Sequence, residues 1–102
     1  MPETPSQRTV LQAPRFGKSK RSFPAPAQLE IDEQVKGIVA DPFVGEPKVG
    51  ALRGVRVVKF KVGPQQLLVA YSFNAKKQTI EMLDVGPHEN FYRELTKYLG
   101  AR

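Results

Sequence analysis

Three runs rich in β-branched and aromatic residues, 55–62 (VRVVKFKV), 67–73 (LLVAYSF) and 79–85 (TIEMLDV), succeed one another with only GPQQ and NAKKQ between them. Links that short join neighbouring strands as hairpins and leave no room for a crossover, which predicts a three-stranded antiparallel meander. A meander needs a cover for its apolar face. The preceding chain supplies one: Ala27, Ile31, Val35, Ile38 and Val39 fall at steps of four, four, three and one, the stripe of an amphipathic helix. Pro24 and Pro26 suit its start, Glu30, Asp32 and Glu33 meet the positive end of its dipole, and Asp41-Pro42 stops it, so the helix spans about residues 25–40.

The remaining segments are shorter. Residues 8–12 (RTVLQ) read as one strand, and 14–22 (PRFGKSKRS) as a short helix or an irregular basic connection. Residues 43–54, with three glycines, read as a loop, and Phe91, Leu95 and Tyr98, closed by Gly100, as a C-terminal helix. Residues 1–7 (MPETPSQ) carry nothing for a core and are expected to be a flexible tail, leaving 8–102 as a single domain. The class is α+β, in the order β-α-α-β-β-β-α, with N-terminal helices packed on an antiparallel sheet.

The chain has no cysteine, which excludes disulfides, thiolate catalysis and cysteine-ligated metals, and His88 is its one histidine. We therefore expect no metal and no cofactor. No apolar stretch reaches the length of a signal sequence or a membrane span, so the expected location is the cytoplasm, away from membranes. A net charge of +6 favours a polyanionic partner, although many soluble proteins are basic without one.

Placement of the charge narrows this. Lys48, Arg53, Arg56, Lys59 and Lys61 lie close together with no acid among them, as in a groove for a phosphate backbone. Alternation puts Val58, Phe60 and Val62 on the core face and Val57, Lys59 and Lys61 on the other, where the lysines form either such a groove or a solvated sheet face. Arg56 falls with the core set, unless it lies at a frayed start or a bulge near Val57 re-aims it. His88, at the junction of the last strand and last helix, is either a helix cap or a group for proton transfer. Tyr92, one helical turn on, is a core aromatic or a platform that stacks on a base or shares proton transfer. Arg93 either contacts phosphate or pairs with Glu89. Val55, Val57, Phe43 and the ridge from Leu95 to Leu99 are the apolar groups expected to be exposed for a partner.

The run DPFVGEPKVGALRGVRVVKFKV, then LLVAYSF, then IEMLDVGPHENFYREL, resembles the RelE/ParE superfamily of toxins over roughly residues 8–100. The resemblance implies a RelE-like fold with an additional helix near residues 14–22. It implies a toxin of a type II toxin–antitoxin system, bound by a cognate antitoxin and, through that complex, to operator DNA. Many ribosome-dependent members cut mRNA without a metal, using the 2'-hydroxyl as nucleophile and leaving a 2',3'-cyclic phosphate. Carried onto this chain, His88 would be the general acid or base, Lys59, Arg56 and Tyr92 would complete the catalytic set, and Lys48, Arg53, Lys61 and Arg93 would bind RNA. ParE-like members instead poison DNA gyrase without this nuclease set, and that is the alternative function.

Overall fold

The computed structural model describes residues 8–101; the tail expected at 1–7 lies outside the described residues. Hairpin links fold the chain as their length requires. Strands β3 (Arg56–Val62), β4 (Gln65–Asn74) and β5 (Thr79–Pro87) pair antiparallel in sequence order. Gly63 takes a φ of 59° in the first hairpin, a conformation free of strain only without a Cβ.

Ahead of the meander come β1 (Thr9–Gln12), helix α1 (Pro14–Arg21) and helix α2 (Ala25–Ala40). Pro14 opens α1, and Lys18, Lys20 and Arg21 close it, where cations complement the helix dipole. The loop after α2 holds a short strand, β2 (Glu46–Pro47), and a 3-10 turn at Gly50–Leu52. Helix α3 (Phe91–Ala101) ends the described chain.

The five strands run in the order β1-β5-β4-β3-β2, as one sheet under an α+β arrangement. The sheet is mixed rather than wholly antiparallel, because β1 pairs parallel with β5, Thr9 facing Thr79 and Gln12 facing Met82. No hairpin joins these two strands. Their relative direction is set by how the helices return the chain, which strand periodicity does not encode. β1 covers only the first half of β5, and α1 packs along the rest.

Both faces of the sheet are buried. Phe16 of α1 with Ile31 and Ile38 of α2 meets Phe60, Leu67, Val69 and Tyr71 on one face. Phe91 and Leu95 of α3 meet Val55, Val57, Leu68 and Ala70 on the other. Burying one such aliphatic or aromatic side chain is worth about 1.5–3 kcal/mol, so both layers are needed. This corrects the expected partner surface: Val55 and Val57 are buried under α3, on the face the alternation rule treats as the solvent side, and Leu95 is the α3 residue that buries itself against them. Phe43 is exposed as expected.

Candidate functional site

The β3–β4 register runs unbroken from Arg56 opposite Tyr71 to Val62 opposite Gln65. Alternation therefore holds along β3, and Lys59 and Lys61 share the α3 face with Val57, both exposed. Lys59 lies opposite Leu68, and Leu68 opposite Gly86; the next row is Phe60, Leu67 and Pro87, and beyond it Lys61 faces Gln66. His88 follows directly, exposed at the end of β5. The lysines and the imidazole thus flank β4 at the same end of the sheet. Two strand spacings separate β3 from β5, about 10 Å.

Tyr92 of α3 lies at the His88 side of this strip. Its ring meets His88 edge to face, with centroids 5.7 Å apart and planes at 88°. Phe91 meets the same ring at 5.7 Å and 83°. Lys48 sets its ammonium 4.8 Å from the ring centroid. The Lys48 backbone N–H donates to Val55 O at 2.9 Å, and its side chain pairs with Glu46 at 3.4 Å. Burial lowers the Lys48 pKa, but the Tyr92 phenol and the Glu46 carboxylate outweigh it and hold the group above its ordinary 10.5. The phenol oxygen is itself buried, and no group among the described residues meets it in good hydrogen-bond geometry.

Two sequence expectations are corrected. Arg56 lies on the opposite face from Lys59 and Lys61, beside Tyr71, because no bulge interrupts β3; the irregularity lies between β4 and β5, at Ala70/Tyr71. There Arg56 donates to Phe43 O at 3.2 Å and Gly45 O at 2.8 Å, and its guanidinium sits 5.1 Å from the Phe43 ring centroid. It clamps the loop that follows α2. Tyr92, in turn, keeps its hydroxyl inside the protein, which removes the phenol from proton transfer to a bound nucleotide.

The remaining cations divide. Arg53 is exposed where the 3-10 turn ends. Arg93 is exposed and donates to Asn90 Oδ1 at 2.8 Å rather than to Glu89. Sequence reasoning missed the cavity beside this site, about 240 Å³ between α1, the end of β5 and the start of α3. Arg15, Ser19, Asp84, Glu89 and Glu94 are among its lining residues, and none of the eight expected site residues is. The available signal was Asp84, an acid set inside an apolar strand. Among the described residues no helix is long and apolar enough to cross a membrane.

The family model of the ParE-like toxin of type II bacterial toxin–antitoxin systems matches residues 10–96. No curated protein sequence matches the chain. Among solved structures, a variant of the Escherichia coli toxin RelE in the free state is similar at a TM-score of 0.72 and 15% identity, covering 90% of this chain and 97% of that one. A RelBE toxin–antitoxin complex from Mycobacterium tuberculosis is similar at 0.70 and 17%, covering 79% and 98%. The intact E. coli RelBE complex gives 0.67 and 13%, covering 80% and 98%. At such identities the shared property is the fold. With the family model spanning most of the chain and the helices and sheet arranged as in RelE, the chain belongs to the RelE/ParE superfamily, as a ParE-like toxin of a type II toxin–antitoxin system.

Proposed function

We propose that this toxin arrests growth as an mRNA endoribonuclease acting on the ribosome, and that a cognate antitoxin silences it by binding. One relation supports the reading: Lys59 and Lys61 stand across β4 from His88 on one face of the sheet. Two exposed ammonium groups and the chain's one imidazole thereby border a strip on which a nucleotide can lie.

In this reading the 2'-hydroxyl attacks the adjacent phosphorus and the bond to the 5'-oxygen breaks, giving a 2',3'-cyclic phosphate and a new 5'-hydroxyl. His88 exchanges a proton with one of those oxygens and solvent with the other, so the proton released by the 2'-hydroxyl is balanced by the one taken up at the 5'-oxygen. Lys59 and Lys61 offset the charge that builds on the phosphate oxygens, which is the largest contribution a protein makes to such a step. Arg53 and Arg93, exposed at the border, hold the flanking backbone. The nucleophile belongs to the RNA, so the step calls for no metal. Toxin–antitoxin complexes among the structural neighbours support an antitoxin partner; contact with operator DNA through that complex is part of the proposal.

A second reading is gyrase poisoning, favoured by the ParE-like description of the matching family model. Mapping cellular mRNA by primer extension after inducing the isolated toxin separates the two. Nuclease action yields new 5' ends at defined sites that vanish with His88→Ala. Unchanged mRNA with an induced SOS response, indifferent to His88→Ala, would establish the gyrase reading instead.

A further inference from the structure

We propose that Lys48 is a positioning residue, whose ammonium, seated on the Tyr92 ring, holds that ring against His88 and so sets the direction in which the imidazole faces the RNA. The inference rests on the nuclease reading for its consequence, but its geometry is independent of it. A buried tyrosine is ordinarily fixed by a hydrogen bond at its hydroxyl. The Tyr92 hydroxyl makes no hydrogen bond of good geometry among the described residues, and the polar group that interacts with it is the Lys48 ammonium itself. The orientation of the ring therefore depends on what touches the ring itself: the apolar cluster on the α3 face, His88, Phe91 and the Lys48 ammonium.

Lys48 is built for that place. Its backbone is pinned to Val55 O beside β3, and Glu46 steers the side chain, so the ammonium arrives from a fixed direction. A cation above a ring face is attracted by the ring quadrupole, and partial desolvation strengthens the attraction. An ammonium so engaged is poorly placed to follow a phosphate backbone, the role its position in the sequence first suggests. Tyr92 is the one aromatic ring that meets His88 among the described residues, and no side-chain hydrogen bond there fixes the imidazole. Loosening Tyr92 lets the imidazole turn, and small misplacements of a proton-transfer group are costly in rate.

The single imidazole makes the test direct, because the His88 ring protons give isolated NMR signals. Lys48→Met should move those signals and lower mRNA cleavage about ten- to a hundredfold, with affinity for a single-stranded RNA little changed. Lys48→Arg, which also stacks on a ring, should restore both. Tyr92→Leu should move the His88 signals too, and adding Lys48→Met to it should move them no further. The proposal is overturned if Lys48→Met leaves the His88 signals in place, or if it instead weakens RNA binding and flattens its salt dependence by about 0.7 in slope, the mark of a lost phosphate contact. It is equally overturned if the two substitutions add. Should the wild-type toxin cut no mRNA while Lys48→Met still moves His88, the nuclease reading fails and the positioning relation stands.

Discussion

The Arg15 guanidinium donates to the Asp84 carboxylate across 2.9 Å, joining α1 to β5 along the part of that strand which β1 leaves unpaired. Asp84 is 4% exposed, and its other oxygen accepts from Ser19 Oγ at 2.7 Å. Arg15 continues to the Tyr98 ring of α3, 5.5 Å from its centroid, so one side chain ties both helical layers to the sheet edge. Removing one partner of a buried pair strands the other charge, at about 3–5 kcal/mol. Arg15 is about one-third exposed, and solvent reduces that figure. Arg15→Ala should therefore cost about 2–3 kcal/mol, lowering Tm by about 10 °C or more in thermal denaturation. Arg15→Met with Asp84→Leu should recover most of the loss, because neither charge then stays buried alone. An unchanged Tm in Arg15→Ala would show that the contact does not fasten α1.

What was legible in the sequence follows the same division between local and distant contacts. α2 was readable to the residue because its apolar spacing, flanking prolines and Asp41-Pro42 stop are all local. The β3–β5 meander was readable because its links are too short for another topology. β1 was readable as a strand but not in its parallel pairing with β5, since nothing near residues 9–12 names a partner so distant in the chain. The burial of Val57 was missed because alternation assigns a residue to a face without saying that α3 covers it, and that of Leu95 because a helical stripe does not name the surface it packs on. Lys59 and Lys61 were placed correctly by alternation alone. Arg56 was misassigned because its cationic neighbours in the sequence outweighed its place in the alternation, and its carbonyl partners at Phe43 and Gly45 come from folding the preceding loop back onto the strand.

That folded-back loop has its own measurable signature. The Tyr71 hydroxyl, wholly buried, donates to Pro42 O at 2.8 Å and accepts from Gly45 N–H at 2.9 Å. Tyr71→Phe leaves a carbonyl and an amide unsatisfied and should cost about 1–3 kcal/mol in urea unfolding. Burial pushes the phenol above its ordinary 10.0, with the Gly45 amide and the Arg56 charge pulling back only in part. The folded state thus retains the proton at a pH where the unfolded phenol loses it. The stabilisation is complete below 10.0 and is lost as pH rises through the higher folded value. Between neutral and strongly alkaline pH, the urea midpoint of the wild type should fall more steeply than that of Tyr71→Phe. Equal slopes would mean that Tyr71 does not carry the alkaline transition.

Gly45 tests the same contact by crowding it. A Cβ at this position would lie 2.8 Å from the Tyr71 hydroxyl oxygen and 3.0 Å from the Arg56 Cβ. Both neighbours are held by hydrogen bonds and cannot swing aside cheaply. Gly45→Ala should destabilise by about 1–3 kcal/mol, as overpacked sites do, with the loop rather than the sheet losing protection in amide exchange. In a Tyr71→Phe background the added methyl should cost somewhat less, since the crowded oxygen is gone, but part of the cost should persist because the ring carbon Cε1 stays 2.9 Å from the new Cβ. Strict additivity of the two substitutions would argue against the close approach.

The division of cations between the two faces gives the most discriminating experiment on nucleic-acid binding. Lys59 and Lys61 are exposed on the α3 face, and Arg56 is engaged with two backbone carbonyls on the other. If the α3 face binds RNA, each lysine that neutralises a phosphate releases a counterion. Lys59→Ala and Lys61→Ala should then each weaken binding of a single-stranded RNA and reduce the slope of log K against log salt by about 0.7, measured by fluorescence anisotropy across a salt series. Arg56→Ala removes the same formal charge but no phosphate contact. It should leave the slope unchanged while lowering Tm, because the loop loses two charge-assisted hydrogen bonds. The three variants have equal net charge, so any difference between them reports position rather than overall electrostatics. A slope reduced equally by all three would mean that RNA senses only the total charge, and a loss confined to Arg56→Ala would move the binding surface to the opposite face of the sheet.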